Sequence, residues 1–342
     1  MIDWSQCPRV PEQGPLDEST FRAEVLPAAR PRVFRGLVAH WPAVAAARDG
    51  DAALCAYLRA MGGEVPVEAF FGAPAAGGRV FYADESLSAF NFDRRTLPLS
   101  ELLGLLLEYR LAARPPFFYA GAIRLPQVAP AFLRDNPLPF PSPSTEQLNA
   151  LWLGNRTRVS AHWDLPSNLI CVVGGRRRYI LFPPEQVGNL YPGPLEFTPA
   201  GQPVSLVDFH APDLARFPRF AEAARHAVVA ELGPGDGLYL PSLWWHHAES
   251  LDAVGAMVNT WWREAPAHAT TPSTTLQHAL LTLRDLPPAE RAAWRAFFDW
   301  YIFDDPQAAV AHLPESARGI LGAMTPEQAA RLRAHIARSL QW

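Results

Sequence analysis

The sequence predicts a mainly β fold with helical additions, built as a barrel or a double-sheet jelly roll. Two observations predict the strands, and a third predicts what they enclose. Residues 169–173 (LICVV) and 179–182 (YILF) are short β-branched, apolar runs separated by Gly174, Gly175 and three arginines, which reads as a hairpin. Residues 228–232 (VVAEL) and 238–240 (LYL) flank the turn sequence GPGDG, and residues 255–262 supply a further strand. Short antiparallel strands joined by such turns close into barrels or jelly rolls whose mouth can hold a metal. Within residues 151–184, His162 and Asp164 stand one residue apart on an extended segment, so an imidazole and a carboxylate converge on one face.

Length and composition bound the rest. At 342 residues the chain exceeds the usual single domain, yet barrels of roughly 200–250 residues are routinely one domain. One core is therefore expected over residues 32–265, preceded by an irregular, proline-broken segment (1–31) and followed by a helical region (266–342). A hydrophobic fraction of 49% is ample for a sizeable core. All 30 basic residues are arginine, and the net charge is −4, which does not suit a general nucleic-acid binder that must neutralise phosphates. Cys7, Cys55 and Cys171 form no CxxC pair, so neither a zinc module nor a disulfide scaffold is indicated. Cys171 reads as a small buried hydrophobe. The first residues lack the basic and apolar regions of a secretory signal, and nothing reaches the length of a membrane span; a cytoplasmic location with no membrane partner is expected.

In chain order, residues 33–34 form a short strand before a glycine turn, and residues 51–61 have helical spacing. Residues 81–92 (FYADESLSAFNF) suggest a strand and turn near the barrel mouth. Residues 97–111 are strongly helical, with Ser100 as cap and Pro115 and Pro116 as the stop. Residues 117–120 follow as a strand carrying Tyr119. Residues 126–144 are too proline-rich for regular structure and read as a loop that covers the barrel or lines an entrance. Asn155-Arg156-Thr157 matches a glycosylation sequon and is read as accidental. Helices are expected at 273–283, 288–303 and 326–340. Trp294, Phe297, Phe298, Trp300, Tyr301 and Phe303 make an aromatic surface too large for one short helix to bury alone.

His162 and Asp164 need a third ligand, and residues 238–262 offer His246 and His247 after a short apolar run. Two histidines and one carboxylate that leave coordination positions open are the donor set of non-haem Fe(II) sites. Neighbours on a strand point to opposite faces, so only one of the two can enter. His246 shares a face with Trp244 and Ser242, His247 with Trp245 and Leu243, and periodicity does not choose. Trp163, between the ligands, should point away from the metal. His40, His210, His226, His268, His278, His312 and His335 show no ligand spacing and read as surface or satisfied core residues.

These residues carry a resemblance. HWD, NLICVVGGRRRYILFPPEQ, LYPGPL, RFPRF, GPGDGLYLPSLWWHHAES and VNTWW, with FYADESLSAFNF upstream, resemble the cupin-like branch of the JmjC 2-oxoglutarate- and Fe(II)-dependent oxygenases, from about Arg32 to Trp262. The resemblance implies a double-stranded β-helix (a jelly roll of the cupin/JmjC kind) with N-terminal and C-terminal helices. It implies Fe(II) held by His162, Asp164 and His246, since the family's distal ligand directly follows the paired aromatic, and 2-oxoglutarate as co-substrate. Arg177 falls where the family carries a lysine, and a guanidinium can grip a carboxylate bidentately. Tyr119, Asn168 and Asn259 match positions near the co-substrate. Val159 departs from a family threonine three residues before the first metal histidine.

The function so implied is a dioxygenase that decarboxylates 2-oxoglutarate to succinate while hydroxylating a C–H bond. The expected partners are a small-molecule co-substrate and a protein side chain or small molecule as substrate. Low positive charge speaks against tRNA, and the lack of a chromatin-reading module against a histone demethylase. The resemblance also implies that the C-terminal helices pair two chains into a homodimer. The alternative is an inactive metal-binding cupin serving as a ligand sensor or scaffold. A cupin isomerase would usually show a histidine pair and a glutamate in place of HxD.

Overall fold

A computed structural model describes residues 2–140, 147–266 and 268–340. The strands, in chain order, are β1 (Glu12–Gln13), β2 (Arg32–Phe34), β3 (Pro66–Gly72), β4 (Arg79–Val80), β5 (Phe92–Pro98), β6 (Phe117–Arg124) and β7 (Leu148–Gly154). There follow β8 (Arg158–Trp163), β9 (Ser167–Gly174), β10 (Arg177–Phe182), β11 (Val228–Leu232), β12 (Gly237–Leu240), β13 (Trp245–Ser250) and β14 (Gly255–Trp262). Among the described residues they form two sheets, ordered β1-β2-β12-β9-β14-β7-β6-β3-β5 and β11-β10-β13-β8-β4. From β7 onward, β7, β9, β12 and β14 lie in the larger sheet and β8, β10, β11 and β13 in the smaller, a double-stranded β-helix of the jelly-roll class.

That winding corrects the expected hairpins. β9 pairs with β12 and β14, while β10 pairs with β11 and β13, so the Gly174-Gly175 turn carries the chain from one sheet to the other. The GPGDG turn does the same between β11 and β12. A turn between paired strands and one that switches sheets share the same glycine-rich chemistry, so local sequence does not separate them. Gly175 has φ +70°, and an added Cβ would sit 2.5 Å from the Val254 carbonyl oxygen. Gly235, at φ +99°, would place one 3.1 Å from the Ala39 backbone. Both crossings need a residue without a side chain.

Alternation along each strand sorts three apolar layers. Ile170, Val172, Tyr179, Leu181, Ala230, Leu238, Leu240 and Met257 meet between the sheets. Phe70, Val80, Phe117 and Tyr119 continue that interior toward β3 and β6. On the outside of the larger sheet, Leu169, Cys171, Val173 and Val258 pack on the helices Pro42–Arg48, Asp51–Gly62 and Leu99–Glu108. Cys171 is thus the small buried hydrophobe expected, its thiol pushed up by burial. The outside of the smaller sheet is covered by Trp4, Leu190, Val207, Phe209 and Phe220.

Three local expectations change. Residues 1–31 are not irregular: β1 runs parallel to β2, a helical stretch extends from Glu18 to Ala28, and Trp4 and Val10 are buried in the sheet layers. Trp4 stacks on Phe209 at 5.5 Å and donates Nε1–H to the Phe209 carbonyl at 2.9 Å, a tertiary anchor with no local pattern. Ser100 lies inside the first turn of its helix rather than capping it; Pro98 holds the cap position and Ser100 N–H donates to the Gly63 carbonyl at 2.7 Å. In the proline-rich stretch, short helices form at Leu125–Val128 and Pro130–Asp135, because proline is tolerated in a first turn where its missing N–H has no partner to lose. The part of that stretch at 141–146 lies outside the described residues. Asn155 is buried with its amide bonded to Phe118 N and Pro116 O, so the sequon match offers no free side chain.

The chain divides into two compact units, Met1–Arg263 and Glu264–Trp342. In the second unit the helices are Pro272–Thr282, Pro288–Phe298, which runs on through a wide turn at Asp299–Phe303, and Pro326–Ser339. The last begins with a reciprocal cap between Thr325 and Gln328. No helix among the described residues is long and apolar enough to cross a membrane.

Candidate metal centre

β8 and β13 are neighbours, and their register sets His162 directly opposite His246, ring centroids 4.2 Å apart. Asp164 follows the end of β8. Its position is fixed by two bonds to the turn before β13: Leu243 N–H to the Asp164 carbonyl at 2.9 Å, and Ser242 Oγ–H to the Leu165 carbonyl at 2.5 Å. Leu243 adopts φ +65°, a left-handed conformation costly for a bulky side chain and held by these bonds. One ligand atom from each of His162, Asp164 and His246 falls within 4.8 Å of the others, with His246 Nε2 3.6 Å from Asp164 Oδ2.

The donor set fits a divalent metal. His162 Nδ1 faces the Ser160 carbonyl at 2.9 Å and His246 Nδ1 faces the Trp244 carbonyl at 3.1 Å. Each ring is therefore oriented by the carbonyl two residues before it, leaving Nε2 as the lone-pair donor. Burial, aided by His162, holds the His246 imidazole well below its usual pKa, in the neutral form a metal needs. Burial also raises the Asp164 carboxyl against the pull of His162 and Trp261. A buried carboxylate that is costly to ionise alone gains most from a cation beside it.

A bulge in β8 shapes this interior. Two residues, Ser160 and Ala161, oppose the single His247, and the alternation resets across them. Val159, opposite Ala248, packs in the interior beside Tyr119, and His162 returns to the same side two residues after the bulge begins. His247 points out of the barrel. Its ring stacks on Phe209 at 4.6 Å and its Nε2 lies 3.0 Å from Glu249 Oε1. Trp163 packs with the outer layer.

The arginine run splits by face. Arg176 is exposed and paired with Asp252, Arg178 reaches Glu231 and Glu249, and Arg177 is buried at 4% exposure. Arg177 Nε has no hydrogen-bond partner among the described residues. Burial raises the phenols of Tyr119 and Tyr179, and in both the Arg177 guanidinium opposes the rise; Asp164 adds to it at Tyr119. Tyr119, Tyr179, Arg177 and Asp164 thus share one interior.

Asn259 differs from expectation in having protein partners. It accepts from Trp152 Nε1–H at 2.6 Å and donates to Asn168 Oδ1 at 3.1 Å, so the two amides orient each other and leave Asn168 Nδ2 outside the pair. Tyr179 was legible as the i+2 neighbour of Arg177, and Trp152 had no sequence signal.

Two imidazoles on paired strands of a double-stranded β-helix, with one carboxylate just past the end of β8, make a candidate metal centre of the cupin kind. The chain belongs to the cupin-like domain family, in its JmjC-type form, whose profile matches residues 18–268. It is similar to the lysine-specific demethylase JMJ31 of Arabidopsis thaliana, 27% identical over 278 residues, covering 72% of this chain and 48% of that protein. It is also similar to HSPB1-associated protein 1 of Homo sapiens (41% over 119 residues; 34% of this chain, 23% of that protein) and to tRNA wybutosine-synthesizing protein 5 of Danio rerio (32% over 145 residues; 38% and 41%). The matched regions span between about a quarter and a half of these relatives' lengths.

Proposed function

We propose that the protein is an Fe(II)- and 2-oxoglutarate-dependent oxygenase that hydroxylates a C–H bond, consuming O₂ and 2-oxoglutarate and releasing succinate and CO₂. The observation that carries this reading is the placing of a buried guanidinium with an unpaired Nε in the same interior as the His162, Asp164, His246 set. Fe(II), when bound, supplies the redox chemistry. Asp164 offsets part of its charge, and the two carbonyl-oriented imidazoles fix its position. Arg177 binds the far carboxylate of the co-substrate, Tyr119 and the Asn168 amide orient it, and Asn259, bonded to Trp152, holds that amide in place. The apolar residues between the sheets keep water from the reacting groups.

A protein side chain or a small molecule is the favoured substrate. Two relatives are named for lysine-specific demethylation and for tRNA wybutosine synthesis, and a net charge of −4 supports a protein or small-molecule substrate over nucleic acid. The test is turnover without substrate: with Fe(II) and O₂ the purified chain should convert 2-oxoglutarate to succinate slowly, read by mass spectrometry. Metal binding with no succinate above the metal-free control would favour the sensor or scaffold reading, for which Val159 in the threonine position speaks.

The second unit is proposed to pair with a second copy of this chain. Leu276, Leu280, Leu283, Trp294, Phe298 and Ile302 line a groove of about 1010 Å³ that also includes three arginines (Arg284, Arg291 and Arg295) and Asp299, charges of both signs that two copies can match. Phe303 and Ile302 are 74% and 66% exposed. Sedimentation of the intact chain should show a dimer, and Ile302→Glu with Phe303→Asp should shift it to monomer. A monomeric parent removes the claim.

A further inference from the structure

We propose that His210, His247 and Glu249 form a second metal site, on the outer face of the smaller sheet, that takes a divalent ion of the zinc and cobalt class. The sequence shows no ligand spacing for His210, which reads there as a surface or satisfied core residue. The structure instead brings its Nε2 to 2.6 Å from Glu249 Oε1, the same oxygen that His247 Nε2 approaches at 3.0 Å, and one ligand atom from each of the three residues falls within 4.8 Å of the others.

The arrangement repeats the logic of the inner centre. There, an HxD pair at the end of β8 is completed by a distal histidine; here, His247 and Glu249 are an HxE pair on β13, completed by His210 from the segment between β10 and β11. Because His246 and His247 are consecutive, the two sets occupy opposite faces of one strand. His247 and Glu249 are each about 4% exposed, so they are held by packing, and Phe209 fixes the His247 ring. His210 is 49% exposed and leaves a solvent side open for a water ligand.

The electrostatics permit a cation. Burial would raise the Glu249 carboxyl, but its bonds from His210 and His247 prevail and hold it far below the usual range. The neighbouring arginines are partly neutralised: Arg79 and Arg158 share Asp208, and Arg178 pairs with Glu231 at 3.0 Å, which leaves a positive surplus that weakens the site. Arg178 also approaches Glu249, at 3.6 Å, but through Oε2, leaving Oε1 to the histidines. Present Nε2 to Oε1 separations are hydrogen-bonding ones. Metal bonds of about 2.0–2.1 Å would set tetrahedral ligands roughly 3.3 Å apart, so His210 must retreat from its 2.6 Å and the His247–Glu249 pair must open slightly from its 3.0 Å. Among the described residues the buried His247 Nδ1 has no partner to raise the ring's basicity, so this site should be the weaker of the two.

The test titrates the chelator-stripped full chain with Zn(II) and, for its visible spectrum, Co(II). The parent should bind two equivalents. His210→Ala, at an exposed position, should bind one and lose the weaker phase; Asp164→Ala should also bind one but keep the weaker phase. A parent that binds one equivalent, or a His210→Ala chain that binds as many as the parent, overturns the site. Loss of the tighter ion alone in Asp164→Ala would leave it standing whatever the fate of the oxygenase reading.

Discussion

Replacing Asp164 with alanine should empty the inner centre and stop 2-oxoglutarate turnover. Losing only an outer partner of a metal ligand costs about 10–100-fold in affinity or activity, and Asp164 is the sole carboxylate of the inner set, so its removal should exceed that range. Two imidazoles remain, a poor cage for an ion that prefers a charged oxygen. Folding should survive, because the lost group is one whose charged form burial disfavours. Metal analysis and succinate formation, measured in a His210→Ala background so that only the inner centre is counted, check both halves. An unchanged metal content there would refute the assigned ligands.

Arg177→Met should separate binding from stability. Arg177 is buried with an unpaired Nε, and a hydrogen bond to a charged group is worth about 1.5–3 kcal/mol. The Michaelis constant for 2-oxoglutarate should therefore rise by roughly 10- to 150-fold, at 1.4 kcal/mol per tenfold. Thermal stability without ligand should stay level or increase, since a buried charge replaced by an apolar side chain of similar length removes a desolvation cost. Arg177→Lys should recover part of the affinity by restoring the charge without the fork. Unaltered co-substrate affinity in Arg177→Met would mean that another cation holds the carboxylate.

Much of this was readable along the chain. The strands from β8 to β14, the strongly periodic helices and the split of Arg176, Arg177 and Arg178 between faces all follow from periods of two and 3.6, which are properties of consecutive residues. The HxD pair is equally local. The choice between His246 and His247 rested on a resemblance, because alternation says only that they differ.

Pairing is a different kind of information. That β9 and β10 leave the same turn for different sheets, that the β8 bulge brings Val159 and His162 to one interior, and that Trp4 reaches Phe209 across the chain depend on which segments meet. The same holds for Asn259, whose partners arrive from β7 and β9, and for His210, whose spacing from Glu249 carries no pattern. A side chain's direction is set by its own backbone, so the sequence by itself determined the strand periodicity and the chemistry of the inner donors. A side chain's partners are set by close packing between distant segments, so only the tertiary structure decided the sheet crossings, the closed amide pair and the cluster around Glu249.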